Sequence, residues 1–245
     1  MKVLELFGIS IHRMLVTPQL WCIALFGLCA AAIFCFSALS NIFIVSMLLH
    51  YAIMTFISLW VACHLMCEWH HKHCSLVASF VLTCTRAVAA WRFFIWIFLL
   101  EFLLDISEYL PKYYDEQRAL YAFLLLFAIV STQYMLNFVC IPLIADNVTH
   151  FKNLLKDALY FFKKYFFTII AILFSFLIFG IIIFTLFGCI NILLMWLGEK
   201  IFHTPSVRII MKVVFFESFL IIINMLLTIA ETFFYLDSNK AHVKE

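Results

Sequence analysis

Residues Tyr165 to Leu197 read YFFTIIAILFSFLIFGIIIFTLFGCINILLMWL, a run of 33 positions without one ionisable acid or base apart from a tyrosine and a cysteine. The hydrocarbon core of a bilayer is about 30 Å thick and takes roughly 20 residues of helix. This stretch is therefore read as a membrane span, and it decides the fold class. It is also too long for one: as a single helix it would reach about 50 Å. It must tilt, break near Gly180 or Gly188, or lie partly in the interface. Working outward, five more runs of the same character appear, and the six are about Leu20 to Leu39, Ile42 to Met66, Ala87 to Leu110, Ala119 to Ile144, Tyr165 to Leu197 and Val207 to Leu236. The expected fold is all-α, a polytopic transmembrane helix bundle of about six spans forming a single domain over residues 1–245, with residues 237–245 as a tail.

Composition agrees. Hydrophobic residues make up 67% of the chain and charged ones 12%, with a mean hydropathy of +1.10. A soluble domain is roughly 45–50% apolar, and a water-soluble fold could not hide this much apolar surface. Thirty phenylalanines against five glycines and four prolines leave few turn signals inside the runs. A formal charge of +2 gives no reason to expect a nucleic-acid partner. Nine scattered cysteines form no disulfide framework. Pro18, Gln19 and an amphipathic leading stretch argue against a cleavable signal peptide.

Local signals mark the ends of these spans. Thr17-Pro18 and Thr204-Pro205 read as helix starts, the hydroxyl offering a cap and the proline having no N–H to leave unpaired. Pro111 closes the third run, and Pro142 kinks or ends the fourth. Two segments read as helices on the membrane surface. In residues 147–164, Phe151, Leu154, Leu155, Ala158, Leu159 and Phe162 oppose Lys152, Asn153, Lys156, Asp157, Lys163 and Lys164. In residues 1–17, Leu4, Phe7, Ile11 and Met14 oppose Lys2, Glu5, His12 and Arg13. The expected partners are the bilayer itself, anionic lipid headgroups at Lys152, Lys156, Lys163 and Lys164, and a second membrane protein.

Positive loops stay in the cytoplasm. Lys2, Arg13, Lys72, Arg86, Arg92, Lys152, Lys156, Lys163, Lys164, Lys240 and Lys244 fall on one side and outnumber Lys112, Arg118, Lys200, Arg208 and Lys212 on the other. Both termini are therefore expected on the cytoplasmic side of an inner membrane. The sequon Asn147-Val148-Thr149 falls on that side too and is discounted.

The most informative chemistry is a stripe in the last run: Glu217, Asn224, Thr228, Glu231 and Tyr235 share one helical face. Polar groups in lipid must face protein or water. The stripe reads in two ways: as hydrogen-bonding glue between helices, or as a proton or cation pathway. Partners are available in Gln133 and Asn137 on the fourth run, Ser46 and His50 on the second and Asn191 on the fifth.

The densest cluster of metal-binding residue types is Cys63, His64, Cys67, Glu68, His70, His71, His73 and Cys74. These are ligands suited to zinc or copper. Cys67, His70, His71 and Cys74 are the candidates, although as helix the Cys63 to Cys74 stripe is about 16 Å long and too extended for one ion. A histidine-rich interfacial loop without metal is the competing reading. The H-E-x-x-H, G-x-S-x-G and Walker patterns are missing, so no catalysis and no resident cofactor is expected.

One resemblance follows from quoted residues. Ile141-Pro142-Leu143-Ile144-Ala145-Asp146, then Leu154 to Tyr165 and a long span, together with Thr17-Pro18-Gln19-Leu20-Trp21 and Phe234-Tyr235-Leu236-Asp237, resembles the membrane domain associated with glycerophosphoryl diester phosphodiesterases and its stand-alone relatives. The resemblance covers most of the chain and implies six spans with cytoplasmic ends. The basic residue expected soon after the closing acid is delayed here to Lys240. No catalytic residue carries over, because the phosphodiesterase barrel is missing from this chain. The sequence thus points first to a non-enzymatic accessory or scaffold module. Its rivals are a small-solute or ion transporter on Glu217, Asn224 and Glu231, and a metal-handling protein on residues 63–74.

Overall fold

The computed structural model of the chain describes residues 3–38, 43–71, 74–96, 138–201 and 205–242, and these are helical with no strand among them. The named helices are α1 (Val3–Val16), α2 (Pro18–Ala38), α3 (Phe43–His71), α4 (Leu76–Ala89), α5 (Phe151–Ile201) and α6 (Pro205–His242). Further helical residues occur at 91–96 and 138–145. Among the described residues, three stretches are long and apolar enough to cross a membrane: Ala52–His70, Phe151–Ile182 and Ser218–Asn239. A fourth is formed if Leu4–Val16 and Pro18–Ala30, bent by 82° at Thr17, count as one broken span. Residues 97–110 and 119–137, the greater part of the third and fourth runs, lie outside the described residues.

The chain divides into two compact units, Met1–Val61 with Phe167–Glu245, and Ala62–Phe166. In the first, α1, α2 and α6 pack on one another. Helix α6 supplies much of this core, with Ile221, Met225, Ile229 and Ala230 fully enclosed. Gly27 on α2 marks the tightest approach: a Cβ there would lie 2.5 Å from Ile57 Cδ1 on α3 and 3.5 Å from Ile221 on α6. Small residues let apolar helices come this close. Phe7 of α1 meets the rings of Phe176 and Phe179 on α5 edge-on, at 5.2 and 4.4 Å between centroids.

Helix α1 turns a partly polar face toward the protein. Its buried positions are Leu6, Ser10, Met14 and the following Thr17, while Leu4, Leu15 and Val16 are exposed. Hydropathy alone selected Leu4, Phe7, Ile11 and Met14. The inward serine escapes that test because its hydroxyl donates to the Leu6 carbonyl at 2.8 Å and needs no water. At Thr17 the helix axis turns, with Pro18 opening α2 and Leu20 N–H donating to the Thr17 carbonyl at 3.1 Å.

In the second unit, the segment that follows the second apolar run is largely helical. Helix α3 runs on to His71, and α4 begins after Ser75, whose hydroxyl accepts the Ala78 N–H at 3.1 Å as an N-cap. The start of the third apolar run, from Ala87, is therefore the last turn of α4, and the helix is interrupted at Ala90. Helix α4 reverses the pattern of a soluble helix: Ser79 and Thr83 are buried, whereas Val77 and Val88 are 72% and 74% exposed. Its buried hydroxyls donate to carbonyls one turn back, Ser79 to Leu76 at 2.9 Å and Thr83 to Ser79 at 2.7 Å. With its own groups satisfied, the polar face can turn inward.

Residues 138–145 are helical through Pro142 and end in a Schellman turn. Val148 N–H donates to the Leu143 carbonyl at 2.9 Å and Asn147 N–H to that of Ile144 at 3.1 Å. Asn147 adopts φ 78°, the left-handed conformation that asparagine tolerates better than most residues. The asparagine of the sequon thus serves as a helix stop. Helix α5 leaves helical geometry at Tyr165 (φ −116°, ψ 20°), where the lysine-bearing stretch gives way to the apolar one. Beyond it the backbone stays helical through Gly180 and Gly188, so the break considered at those glycines is not made.

Candidate functional site

The polar stripe of α6 is a real face of the first unit. Thr228, Glu231 and Tyr235 are buried and Asn224 is half-buried. Asn224 reaches across to α3: its Nδ2 donates to Ser58 Oγ at 2.8 Å and to the Met54 carbonyl at 3.3 Å. Ser58 Oγ in turn donates to the same Met54 carbonyl at 3.1 Å. One side-chain amide thus ties two helices through a three-membered network. The neighbouring hydroxyls are satisfied along α6 itself, Thr228 donating to the Asn224 carbonyl at 2.9 Å and Thr232 to that of Thr228 at 2.8 Å.

Ser58 is the functional partner that sequence reasoning missed. It stands two turns along from His50 on the face that starts at Ser46, so extending that face by helical spacing would have reached it. Gln133 and Asn137 lie outside the described residues, as do the side chains of His50, Asn191 and Glu217. The residues brought together are Asn224 with Ser58 and Met54, and Glu231 shares the buried face.

The cysteine and histidine cluster is divided. Cys63 is enclosed on α3 near Thr83 of α4, while Cys74 lies near Cys67 and its thiol donates to the Ser75 carbonyl at 3.6 Å. His70 is exposed, and the side chain of His71 lies outside the described residues. His64 is fully buried: Glu68 Oε1 is 3.4 Å from its Nε2, but the alignment is too poor for a hydrogen bond, and Nδ1 has no partner. Among the described residues no three His, Cys, Asp or Glu side chains gather to hold a metal ion.

Burial pushes the Cys74 thiol up to about 12, and the nearby Cys67 thiol and the charge of Glu68 act in the same direction. A raised thiol pKa favours the neutral form in the fold. The associated stability is fully present below the unfolded value of 9.0 and is lost as pH rises through about 12. At pH 8 the folded chain should expose roughly a thousandfold less Cys74 thiolate than the unfolded chain. Iodoacetamide labelling followed by peptide mass spectrometry should therefore mark Cys74 far more slowly before denaturation than after, and equal rates would refute this.

The described residues define an all-helical protein with three or four helices long and apolar enough to cross a membrane. Comparison with protein-family models, with curated proteins and with solved structures finds no match. The resemblance to the membrane domain associated with glycerophosphoryl diester phosphodiesterases rests on the quoted residues alone.

Proposed function

We propose that this chain is a non-enzymatic integral membrane module of about six spans, both termini in the cytoplasm, acting as an accessory or scaffold in an inner membrane. The observation that carries the reading is the bond from Asn224 to Ser58 and Met54. It commits the most polar side chain at the middle of the α6 stripe to holding a neighbouring helix. Interhelical hydrogen bonding is the ordinary use of such a residue in lipid. The six spans implied by the family resemblance support the same reading.

A second reading, a small-solute or ion transporter, is favoured by Glu231, a carboxyl buried on the same face. Buried carboxyls at membrane depth commonly mark proton or ion pathways. Proteoliposomes holding the full chain and a pH-sensitive dye separate the two. Under imposed proton, sodium and potassium gradients, the module reading expects flux equal to that of empty liposomes. Gradient-driven flux that Glu231→Gln or Glu217→Gln abolishes would overturn it in favour of transport.

A further inference from the structure

We propose that the outward face of residues 151–164 binds anionic phospholipid headgroups; this deepens the membrane reading above and rests on it. The sequence suggests an amphipathic helix whose apolar side lies in lipid. In the second unit that side is already occupied: Leu154 and Ala158 are 0% and 1% exposed, and Phe161 is buried with them. What faces outward is the opposite stripe, where Lys152, Lys156 and Lys163 are exposed one and two turns apart.

This stripe is mixed. Leu159 and Tyr160 lie between the lysines and are 61% and 63% exposed. A face meeting only water has no use for a large exposed leucine, and one meeting only acyl chains would not carry three ammonium groups. The headgroup layer accommodates both, with lysines at the phosphates and the leucine and tyrosine reaching inward. Lys164 stands to one side, its ammonium 5.3 Å from the Tyr165 ring centroid.

Two further observations place this face at the membrane surface. Tyr165 interrupts the helical geometry directly after the lysines, ahead of the apolar remainder of α5. The same unit exposes Trp69, Trp91 and Trp96, and tryptophan gathers at the headgroup level of membranes. Charge complementarity selects the lipid: three ammonium groups with one half-buried acid beside them, Asp157, favour phosphatidylglycerol-type headgroups over zwitterionic ones.

The test uses the full chain, purified in a neutral detergent and titrated with phosphatidylglycerol or phosphatidylcholine, with bound lipid counted by native mass spectrometry. Each lysine near an anionic surface contributes about fivefold in affinity. The triple variant Lys152→Gln, Lys156→Gln, Lys163→Gln should therefore lose phosphatidylglycerol binding by roughly a hundredfold while keeping its helical circular dichroism. The tail variant Lys240→Gln, Lys244→Gln should leave it unchanged. Equal retention of the two lipids by the wild type, or unchanged binding in the triple variant, would overturn the proposal. So would a loss matched by the tail variant, which would make the effect one of net charge. Competition by inorganic phosphate at the same affinity would replace the headgroup with a free anion and also sink it. Failure of the membrane reading looks different, since the chain would then stay dispersed with neither lipid nor detergent.

Discussion

Replacing Gly27 with leucine should disrupt the first unit more than any other single change considered. The position has no room: a bare Cβ already meets Ile57 Cδ1 at 2.5 Å and Ile221 at 3.5 Å. The nearest atom is the far end of an isoleucine, which can rotate. Gly27→Ala should therefore be accommodated at a cost of about 1 kcal/mol or less. Leucine adds three more carbons at a point where α2, α3 and α6 converge, and no rotamer of one isoleucine clears them. Overpacking of this kind costs typically 1–3 kcal/mol and sometimes more. The measurement is the midpoint of unfolding for wild type, Gly27→Ala and Gly27→Leu in the same micelles. A leucine variant as stable as the wild type would show that α2 does not approach α3 and α6 as closely as described.

The second large effect is expected at Asn224. Asn224→Leu removes both bonds to α3 and leaves Ser58 without the amide that donates to it. Interhelical hydrogen bonds in membranes average about 0.6 kcal/mol and reach about 1.7. A bridge with two acceptors belongs in the upper part of that range. A double-mutant cycle isolates it: Asn224→Ala, Ser58→Ala and the pair should show a coupling near 1 kcal/mol, because either change alone breaks the shared network. Additive effects would mean that the two side chains do not interact, and the glue reading of the α6 stripe would lose its support.

Much of this was legible in the sequence, for reasons particular to each element. The α6 stripe was visible because Asn224, Thr228, Glu231 and Tyr235 repeat at helical spacing against an apolar background, and polar residues there have few places to go. The inward face of α1 was not legible because Ser10 looks polar to a hydropathy count, yet satisfies itself on the Leu6 carbonyl and packs inward. Helix α4 was missed for the same reason on a larger scale, since its inward residues are hydroxyls and its outward ones valines. Its start was marked, however, by Ser75 ahead of an apolar run. Asn147 matched a modification pattern while its structural role, a left-handed helix stop, follows from asparagine's tolerance of positive φ. Gly27 could not be found at all, because close approach belongs to three helices and no one of them records it.

The interleaving of the two units bears on how the chain is made. Ala62–Phe166 is continuous, so its interactions can form while the rest is still being synthesised. The other unit is split, and its closing helix comes last: Ser58 waits 166 positions for Asn224, and Gly27 waits longer still for Ile221. Contacts of such separation form slowly. Until α6 emerges from the ribosome, α1, α2 and the first part of α3 have made their turns without their common neighbour. The nascent chain therefore passes through a stage, between the synthesis of α3 and that of α6, in which this seam is unfilled.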